Sequence, residues 1–217
     1  MKKYAWIFDL DGTLVDSIGQ IGYALNVARE DFGYKKLQSK KIEELVGLPI
    51  QHFLSDLPLD KCDFDEIVIH FRRILEVEIN KDNLIFPGVE LFLTKLKSKG
   101  HKLAIATSKP TYLANLVIEN SSLNELFDVI QGTDGFPAKP DPTCVQLAME
   151  ALGTSNAIMV GDRVEDILAA TAAGIDSIGI ANSFHGIQSL ENAGAKYAFS
   201  SFLDFTNSYE IIDLLID

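Results

Sequence analysis

Residues 4–17 organise the rest of this 217-residue chain, and they read YAWIFDLDGTLVDS. The apolar run before Asp9 predicts a β-strand that is buried on both faces. Successive side chains of a strand point to opposite faces, so Asp9 and Asp11 can share a face only where the chain leaves the sheet. A carboxylate there lies at the C-terminal edge of a parallel strand, where open α/β sheets bind their ligands. We therefore expect a ligand site at the end of this strand.

Asp9 and Asp11 are separated by one residue and are followed by Gly12 and Thr13. Two carboxylates so close repel each other unless a cation lies between them or one of them holds a proton. An acidic loop that binds nothing is the simpler interpretation of an isolated Asp-x-Asp. It loses weight here because three further motifs that fit the same chemistry follow along the chain.

Composition excludes several classes of protein. The hydrophobic fraction of 47% supports a real core, and the length suits one α/β domain with a sizeable insertion or two small domains. The formal net charge of −12 disfavours a nucleic-acid partner, because binding to phosphates requires a basic face. An acidic protein that handles anionic substrates must instead concentrate positive charge locally, through a metal, a lysine or a helix N-terminus.

No stretch of the sequence predicts a secretion signal or a membrane anchor, since no apolar run reaches about 18 residues. The two cysteines, Cys62 and Cys144, lack the spacing of a metal or redox motif and are expected to be reduced packing residues. We therefore expect a cytoplasmic protein that has no membrane partner. The sequence leaves open whether it is a monomer or a homodimer.

The strand pattern disappears after Ser17 for about 65 residues. Apolar residues recur there at helical spacing, and they predict three helices, at 18–32, 39–46 and 63–80. The expected domain organisation is a core made of residues 1–15 and 81–217, with an inserted all-helical domain made of residues 16–80. We refer to residues 16–80 as the helical insertion.

The helical insertion directly follows the two aspartates and is positioned to close over them. Such a cap would exclude water and contact the leaving group of a substrate. A purely structural subdomain is the alternative. The basic side chains of the insertion that could meet a substrate anion are Lys40, Lys41, Arg72 and Arg73. A solvated helix face is the simpler interpretation of each of them.

Strands and helices alternate again from residue 81 to residue 183. A buried strand at 101–106 delivers Thr107 and Ser108, and Pro110 suits the first position of a helix. A hydroxyl at the end of a strand, together with free backbone N–H groups and the helix dipole, can bind a phosphate oxygen. This motif is common and is weak by itself.

Lys139 lies in a loop that reads FPAKPDP at residues 136–142, and the prolines around it restrict the backbone. A lysine fixed in this way can deliver a positive charge to a carboxylate and a phosphate. An ordinary loop lysine is the simpler interpretation of the residue taken alone. A helix is predicted to follow, with Asp141 as its N-cap and Pro142 as its first residue.

A further buried strand at 157–160 ends near Asp162, and Asp166 lies one helical turn beyond. Acidic residues are favoured near a helix N-terminus, so capping explains these two aspartates taken alone. With Asp9 and Asp11 on a neighbouring strand, however, four carboxylates would meet at one edge of the sheet. Such a set requires a hard cation, and oxygen ligands favour Mg²⁺.

These motifs together resemble the haloacid dehalogenase superfamily of aspartate-nucleophile phosphohydrolases, and the resemblance covers essentially the whole chain. The motifs are DLDGTLVDS at 9–17, Thr107, Lys139 and GDRVED at 161–166. The helical insertion and the FPGV stretch at 86–89 resemble the phosphoglycolate-phosphatase-like branch. The resemblance implies an α/β fold, with a Rossmann-like, doubly wound parallel sheet as the core and an inserted all-helical cap domain.

The resemblance also implies a role for each matching residue. Asp9 would be the nucleophile that forms an aspartyl-phosphate, and Asp11 would be the general acid for the leaving oxygen and then the base for the attacking water. Lys139 would pair with Asp9 as part of the catalytic set. It would also bind phosphate oxygens of the substrate, together with Thr107 and Ser108.

A Mg²⁺ site is implied in the same way. A carboxylate oxygen of Asp9, the backbone carbonyl of Asp11 and the side chain of Asp162 would hold the ion, which would shield the repulsion between Asp9 and the phosphate. Asp166 is included in this metal set. It is expected to support the site through water or Lys139 rather than as a direct ligand.

The implied activity is Mg²⁺-dependent hydrolysis of a small-metabolite phosphomonoester. Phosphoglycolate, a nucleoside monophosphate, a sugar phosphate and pyrophosphate are all open as substrates. One alternative is a phosphosugar mutase of the β-phosphoglucomutase type, which must protect its aspartyl-phosphate from water. A phospho-ligand-binding protein without turnover is another, although binding alone needs no acid–base residue such as Asp11. Asp11 also argues against carbon–halogen hydrolysis, because the dehalogenase branch has a different residue at that position.

Overall fold

The computed structural model describes residues 4–58, 60–81 and 84–216. Within these ranges the chain forms one six-stranded sheet, whose strands are β1 (Ala5–Phe8), β2 (Lys102–Ala106), β3 (Val129–Gln131), β4 (Ala157–Gly161), β5 (Asp176–Ile180) and β6 (Tyr197–Phe199). The strand order is β3-β2-β1-β4-β5-β6, and every neighbouring pair is parallel. This is the doubly wound, Rossmann-like order, so the expected fold class is confirmed. The order reverses between β1 and β4, which places a ligand crevice at the C-terminal ends of those two strands.

Ten helices accompany the sheet in the part of the chain that the structure describes. They are α1 (Ile18–Asp31), α2 (Ser39–Leu45), α3 (Ile50–Phe53), α4 (Lys61–Ile79), α5 (Val89–Ser98), α6 (Thr111–Glu119), α7 (Thr143–Leu152), α8 (Val164–Ala172), α9 (Ile187–Asn192) and α10 (Phe202–Ile216). Helices α1 to α4 form the helical insertion. Its three predicted helices are present, and the short α3 is an addition that the apolar spacing did not reveal.

The chain enters and leaves the helical insertion through two adjacent segments. The Asp16 amide donates to the Leu84 carbonyl at 2.8 Å, and the Phe86 amide donates to the Leu14 carbonyl at 3.0 Å. Val15 and Ile85 form an antiparallel bridge between the same two segments. The insertion is therefore joined to the core by a pair of hydrogen-bonded segments directly beside the end of β1.

An aromatic cluster fixes the first strand in the core. Trp6, the one tryptophan of the sequence, is 1% exposed, and its ring packs edge to face against Phe92 of α5 and Tyr209 of α10. Phe8 packs in the same manner against Phe92 and Phe127. Aromatic side chains bury large areas and favour this edge-to-face geometry. These contacts anchor β1 in the core, and the chain runs from the end of β1 directly into the site.

Two helix starts lie one residue later than the sequence predicted. Pro110 is the N-cap of α6 rather than its first residue, because its ψ of 143° is extended. Pro142 is likewise the N-cap of α7, and the Asp141 carboxylate accepts a hydrogen bond from the Thr143 amide at 2.9 Å. Asp141 therefore accepts a hydrogen bond from the first turn of α7, although the N-cap residue itself is Pro142.

Cys144 is a free thiol, buried beneath the sheet, as expected for a packing residue. The side chain of Cys62 lies outside the described part of the structure. Among the described residues, none of the helices combines the length and the apolar character needed to cross a membrane.

Candidate active site

The site is built where β1 and β4 end side by side. Asp9 follows β1 directly, and its backbone amide donates to the carbonyl of Val160 in β4 at 2.9 Å. Asp162 follows β4 in the same way. Both carboxylates are buried, with 2% and 1% of the residue exposed, respectively. The reversal of the strand order thus brings two acidic side chains from distant parts of the sequence to one point.

Lys139 connects three elements at this point. Its ammonium donates to Asp9 Oδ1 at 2.6 Å, to Asp166 Oδ1 at 2.5 Å and to the Ala106 carbonyl at 3.0 Å. An ammonium has three donors, so all three are used. The pairing of Lys139 with Asp9 and Asp166 that the resemblance implied is present in the structure.

Asp162 is held by hydroxyl groups on both of its oxygens. Thr13 Oγ1 donates to Asp162 Oδ1 at 2.7 Å, and the Ser183 hydroxyl donates to Oδ2. Gly12 has a φ of +89°, and a Cβ at this position would lie 2.5 Å from Asp162 Oδ2. The Gly-Thr pair behind the two aspartates therefore has a physical purpose. Gly12 allows the turn to approach Asp162, and Thr13 orients the Asp162 carboxylate.

Burial and like charges shift the ionisation of these groups. Burial raises the pKa of Asp9 to about 7; Lys139 opposes this shift, and the charges of Asp166 and Asp11 reinforce it. Burial, together with the charges of Asp166 and Asp9, raises the pKa of Asp162 to about 8, against the hydrogen bonds from Ser183 and Thr13. Burial lowers the pKa of Lys139, but the charges of Asp166 and Asp9 outweigh it and hold that pKa above its usual value. Such shifts are typical of buried carboxylates that lie close to one another.

The donor set fits a divalent metal. Asp9, Asp162 and Asp166 each offer a carboxylate oxygen, and these oxygens lie within 4.8 Å of one another. With Asp11, four buried carboxylates meet here, and among the described residues two ammonium groups, Lys139 and Lys109, pair with them. Hard oxygen ligands of this kind suit a divalent cation, whose charge would offset the repulsion among the carboxylates.

Asp11 has a partner that the sequence interpretation missed. Lys109 donates to Asp11 Oδ1 at 2.8 Å, and both side chains are nearly buried. The residue directly follows Ser108, but nothing in the linear sequence relates it to an aspartate 98 positions away. The sequence did hold one indication of this position. Lys109 lies two residues after Thr107, and alternate residues of an extended segment point to the same side.

Thr107 and Ser108 lie where β2 leaves the sheet. Thr107 is buried, its amide donates to the Gln131 carbonyl at 3.0 Å, and its hydroxyl oxygen accepts from the Lys109 amide at 3.3 Å. The buried Ser108 hydroxyl makes no hydrogen bond with any described residue. A buried hydroxyl without a partner is costly, so a ligand oxygen is the natural partner for Ser108.

A cavity of about 530 Å³ opens over this edge of the sheet. Asp11, Thr107 and Ser108 belong to its core wall, and the opposite wall comes from the helical insertion. The insertion contributes mainly apolar side chains, among them Ile21, Leu48, Phe53, Phe71 and Leu75. Arg72 also lines this wall, so one of the four basic residues singled out in the insertion lies at the cavity. Lys41 instead pairs with Glu44 at 3.0 Å.

Arg163 connects the core to the helical insertion. Its side chain is buried, and its Nη1 donates to the Val46 carbonyl at the end of α2 at 2.8 Å. The next residue, Gly47, has a φ of +88°, and a Cβ there would lie 2.5 Å from Arg163 Cδ. Since Gly47 lines the cavity, this contact sets the position of the insertion loop relative to the motif that carries Asp162.

Comparison with known proteins agrees with this site. A family model described as haloacid dehalogenase-like hydrolase matches residues 6–180. The chain is 32% identical to a phosphoglycolate phosphatase of Caulobacter vibrioides, over 91% of this chain and 86% of that protein. It is 33% identical to a probable phosphatase, IndB, of Dickeya dadantii, over 90% and 89% of the two chains. It is 30% identical to a 5'-nucleotidase of Pseudomonas aeruginosa, over 82% of each.

Solved structures show the same fold. A crystal structure of a predicted phosphatase from Clostridium acetobutylicum matches with a TM-score of 0.84 and 29% identity, covering 98% of this chain and 100% of that one. A β-phosphoglucomutase from Clostridium difficile matches with a TM-score of 0.83 at 20% identity, covering 99% and 97%, a likeness that concerns the fold alone. The chain therefore belongs to the haloacid dehalogenase-like hydrolase family, and it is a phosphoric monoester hydrolase.

Proposed function

We propose that this enzyme hydrolyses the phosphomonoester of a small metabolite through an aspartyl-phosphate on Asp9, with Mg²⁺ as its cofactor. The observation that carries the proposal is the state of the Asp9 carboxylate. Lys139 fixes Oδ1, whereas Oδ2 accepts no hydrogen bond from any described residue. Asp9 thus offers an oriented oxygen at the C-terminal end of β1, two residues before Asp11, which lines the cavity. A fixed and activated nucleophile of this kind is what covalent phosphoryl transfer requires.

In the proposed reaction, an oxygen of Asp9 attacks phosphorus while the bond from phosphorus to the ester oxygen breaks. Asp11 gives its proton to the departing oxygen, and in the second step it takes a proton from the water that attacks the aspartyl-phosphate. Asp11 lines the cavity in which the leaving group must lie. General acid–base catalysis of this type typically contributes about 10²–10⁴-fold to the rate.

We assign the remaining core residues to charge and orientation. Asp9, Asp162 and the backbone carbonyl of Asp11 would hold the cation, which would neutralise charge on the transferred phosphoryl group. Both oxygens of Asp166 already accept hydrogen bonds, from Lys139 and from the Arg163 amide, which favours a supporting role. Thr107 and Ser108 would bind phosphate oxygens.

We also propose that residues 16–80 act as a cap, with residues 1–15 and 81–217 as the catalytic core. The adjacent entry and exit segments and the shared cavity support this division. Such a cap would keep water from the site except where Asp11 can direct it.

Phosphoglycolate is the first substrate to test, because relatives with 32% and 29% identity carry the name phosphoglycolate phosphatase. A nucleoside monophosphate is the second, in view of the 5'-nucleotidase. The likeness to a β-phosphoglucomutase concerns the fold alone, so it adds no support for mutase activity.

The test is phosphate release from a panel of phosphomonoesters, with Mg²⁺ or with EDTA, by the wild type and by Asp9→Asn. We expect turnover that requires Mg²⁺ and is lost in the variant. Activity that survives Asp9→Asn would refute the aspartyl-phosphate. Activation by a sugar bisphosphate with little net phosphate release would instead support the mutase.

A further inference from the structure

We propose that Arg72 binds a second anionic group on the substrate, so that the preferred substrates are phosphomonoesters whose leaving group carries a carboxylate or another phosphate. This inference rests on the proposed phosphatase function. It assigns to the insertion wall a subsite that the core residues do not provide.

The first observation is the place of Arg72 in the cavity. Arg72 lies on α4, and it shares the cavity lining with Asp11, Thr107 and Ser108. Helix α4 packs against α6, which begins directly after the Thr107 turn. A molecule whose phosphate lies at Thr107 and Ser108 therefore extends its leaving group towards the insertion wall that contains Arg72.

The second observation is that Arg72 has no counter-ion in the part of the chain that the structure describes. Among the described residues it makes no ion pair and no hydrogen bond, although Glu76 lies one helical turn away, at a spacing that normally allows pairing. Glu76 instead lies near Tyr112 on α6, where its charge helps to raise the pKa of the tyrosine hydroxyl. The Arg72 charge acts to lower the pKa of Tyr112, which burial and Glu76 hold above its usual value, so the guanidinium lies close to the start of α6.

Other basic residues of the insertion show the contrast. The Arg29 guanidinium makes a two-pronged pair with Asp56, at 2.9 and 2.8 Å, and Lys41 pairs with Glu44. On the core wall, Lys109 is occupied by Asp11. Arg72 therefore remains available to a ligand, at a place where the described cations around it are neutralised.

The surroundings of Arg72 make an anion favourable. Its neighbours on the helix, Phe71 and Leu75, are buried and line the same cavity, and Arg72 itself is only partly exposed. A partly desolvated guanidinium is stabilised by a carboxylate or a phosphate, whose oxygens match its fork of donors. In a protein with a net charge of −12, an anionic leaving group also needs a local cation to offset repulsion.

The consequence is substrate selection by charge. A site that pairs with a charged group loses that interaction when the group is neutral, and discrimination of about 10- to 100-fold in kcat/KM follows for a partly exposed pair. The carboxylate and the phosphate share this chemistry, and a direct comparison of the two identifies which one Arg72 selects.

The experiment uses three matched substrates: 2-phosphoglycolate, its neutral amide and ethylene glycol bisphosphate. We would measure kcat and KM with Mg²⁺ for the wild type, Arg72→Gln, Arg72→Lys and Arg73→Gln. Arg73 is the matched control, because it neighbours Arg72 in sequence but is exposed and does not belong to the cavity lining.

We expect Arg72→Gln to lower kcat/KM about 10- to 100-fold for an anionic ester, mainly through KM, and to change the value for the amide less than about threefold. Arg72→Lys should recover part of the loss, and Arg73→Gln should behave as the wild type. The anionic ester that loses more identifies the preferred second group. Equal effects of Arg72→Gln on the charged and neutral esters, or an equal loss in Arg73→Gln, would overturn the subsite.

Failure of the proposed function would be recognised separately. The same three compounds would be titrated by calorimetry into Asp9→Asn, with and without Arg72→Gln, in the presence of Mg²⁺. Tighter binding of the anionic compounds that depends on Arg72 supports the subsite even if no ester is hydrolysed. Binding that is indifferent to Arg72 refutes it, whatever the wild type turns over.

Discussion

The insertion wall of the cavity and the core wall, taken together with the buried residues behind it, are built on opposite principles. On the core side, Asp9, Lys139, Asp162 and Asp166 are each at most 4% exposed and are bonded to one another or to nearby groups. On the insertion side, Arg72 is partly exposed and His52 is exposed, and neither side chain is engaged by a described partner. The polar groups of the core wall are thus oriented before any substrate arrives, whereas those of the insertion wall await one.

This difference assigns phosphoryl transfer to the core residues and substrate selection to the insertion wall. Groups that are buried and mutually bonded have fixed geometry, which phosphoryl transfer requires. A mostly apolar wall that carries Arg72 would accept different leaving groups and rank them by charge. Changes to the core wall should therefore affect every substrate alike, and changes to the insertion wall should affect substrates unequally.

The largest effect is expected from Asp9→Asn, which removes the proposed nucleophile. We expect the rate to fall by roughly 10⁴-fold or more for every ester, with little change in KM. Phosphate release checks the rate, and the circular dichroism spectrum verifies that the fold is kept. An ester that was still hydrolysed at the normal rate would contradict the expectation that the core residues act on every substrate alike.

Asp11→Asn should have the next largest effect. The amide cannot transfer the proton, so we expect kcat to fall by about 10²–10⁴-fold while KM changes little. Steady-state kinetics on two esters would check this. A variant that raised only KM would show that Asp11 binds the substrate instead of transferring a proton.

Lys139→Ala should cost stability as well as activity. The substitution leaves Asp9 and Asp166 buried and facing each other without a cation, which typically costs about 3–5 kcal/mol. Urea unfolding in EDTA measures the loss. Lys196→Ala is a suitable control, because the Lys196 pair with Asp176 is largely exposed. An equal loss in the control would contradict the special place of Lys139.

The metal-free protein should lose stability as the pH rises. The folded-state pKa values of Asp9 and Asp162, about 7 and about 8, lie above their ordinary value of 3.8. The folded state therefore binds more protons than the unfolded state between about pH 4 and pH 8, and the unfolding free energy falls across that window.

Urea unfolding at pH 5.5, 7 and 8.5 in EDTA would measure this slope. Asp162→Asn should flatten it, and Mg²⁺ should reduce it by compensating the carboxylates. Stability that rises with pH in EDTA would show that the lysines already compensate the charges of Asp9 and Asp162.

The smallest effect is expected where the two walls meet. Gly47→Ala combines a positive φ with a Cβ that would collide with Arg163, so we expect a loss of about 1–3 kcal/mol and a several-fold rise in KM. Gly33→Ala is the matched control, since Gly33 has a similar φ of +79° and no atom within 4 Å of its Cβ. Equal losses in the two variants would mean that the Arg163 contact has no influence.

A double-mutant cycle sharpens this last comparison. Arg163→Ala removes both the hydrogen bond to Val46 and the atoms with which the new methyl group collides. Adding Gly47→Ala to that background should therefore cost less than it does in the wild type. If the free-energy costs of the two substitutions simply added, the loop at Gly47 would not depend on its contact with Arg163.

The sequence predicted the core wall better than the insertion wall, for a physical reason. Asp9, Thr107 and Asp162 each follow a buried strand directly, so parallel strands alone bring them to one edge of the sheet. The strand order itself cannot be read from apolar runs, because neighbours in the sheet such as β1 and β4 are about 150 residues apart in sequence.

Contacts that depend on side-chain reach were not accessible from the sequence. Nothing in its spacing relates Lys109 to Asp11, or Ser183 to Asp162. Arg72 and Arg73 are adjacent and chemically identical, and only the rotation of α4 decides which of them lines the cavity. The interpretation of both as a solvated face was correct for Arg73 but missed the cavity position of Arg72.

The aromatic cluster around Trp6 has a spectroscopic consequence. The single indole of the chain is buried against core residues, and its ring contacts are with Phe8, Phe92, His101, Phe205 and Tyr209. Its fluorescence therefore reports melting of the sheet and is insensitive to the helices of residues 16–80, whereas the far-ultraviolet ellipticity reports the helices of both parts. The protein thus carries an internal means of distinguishing separate unfolding of its two parts from one cooperative transition.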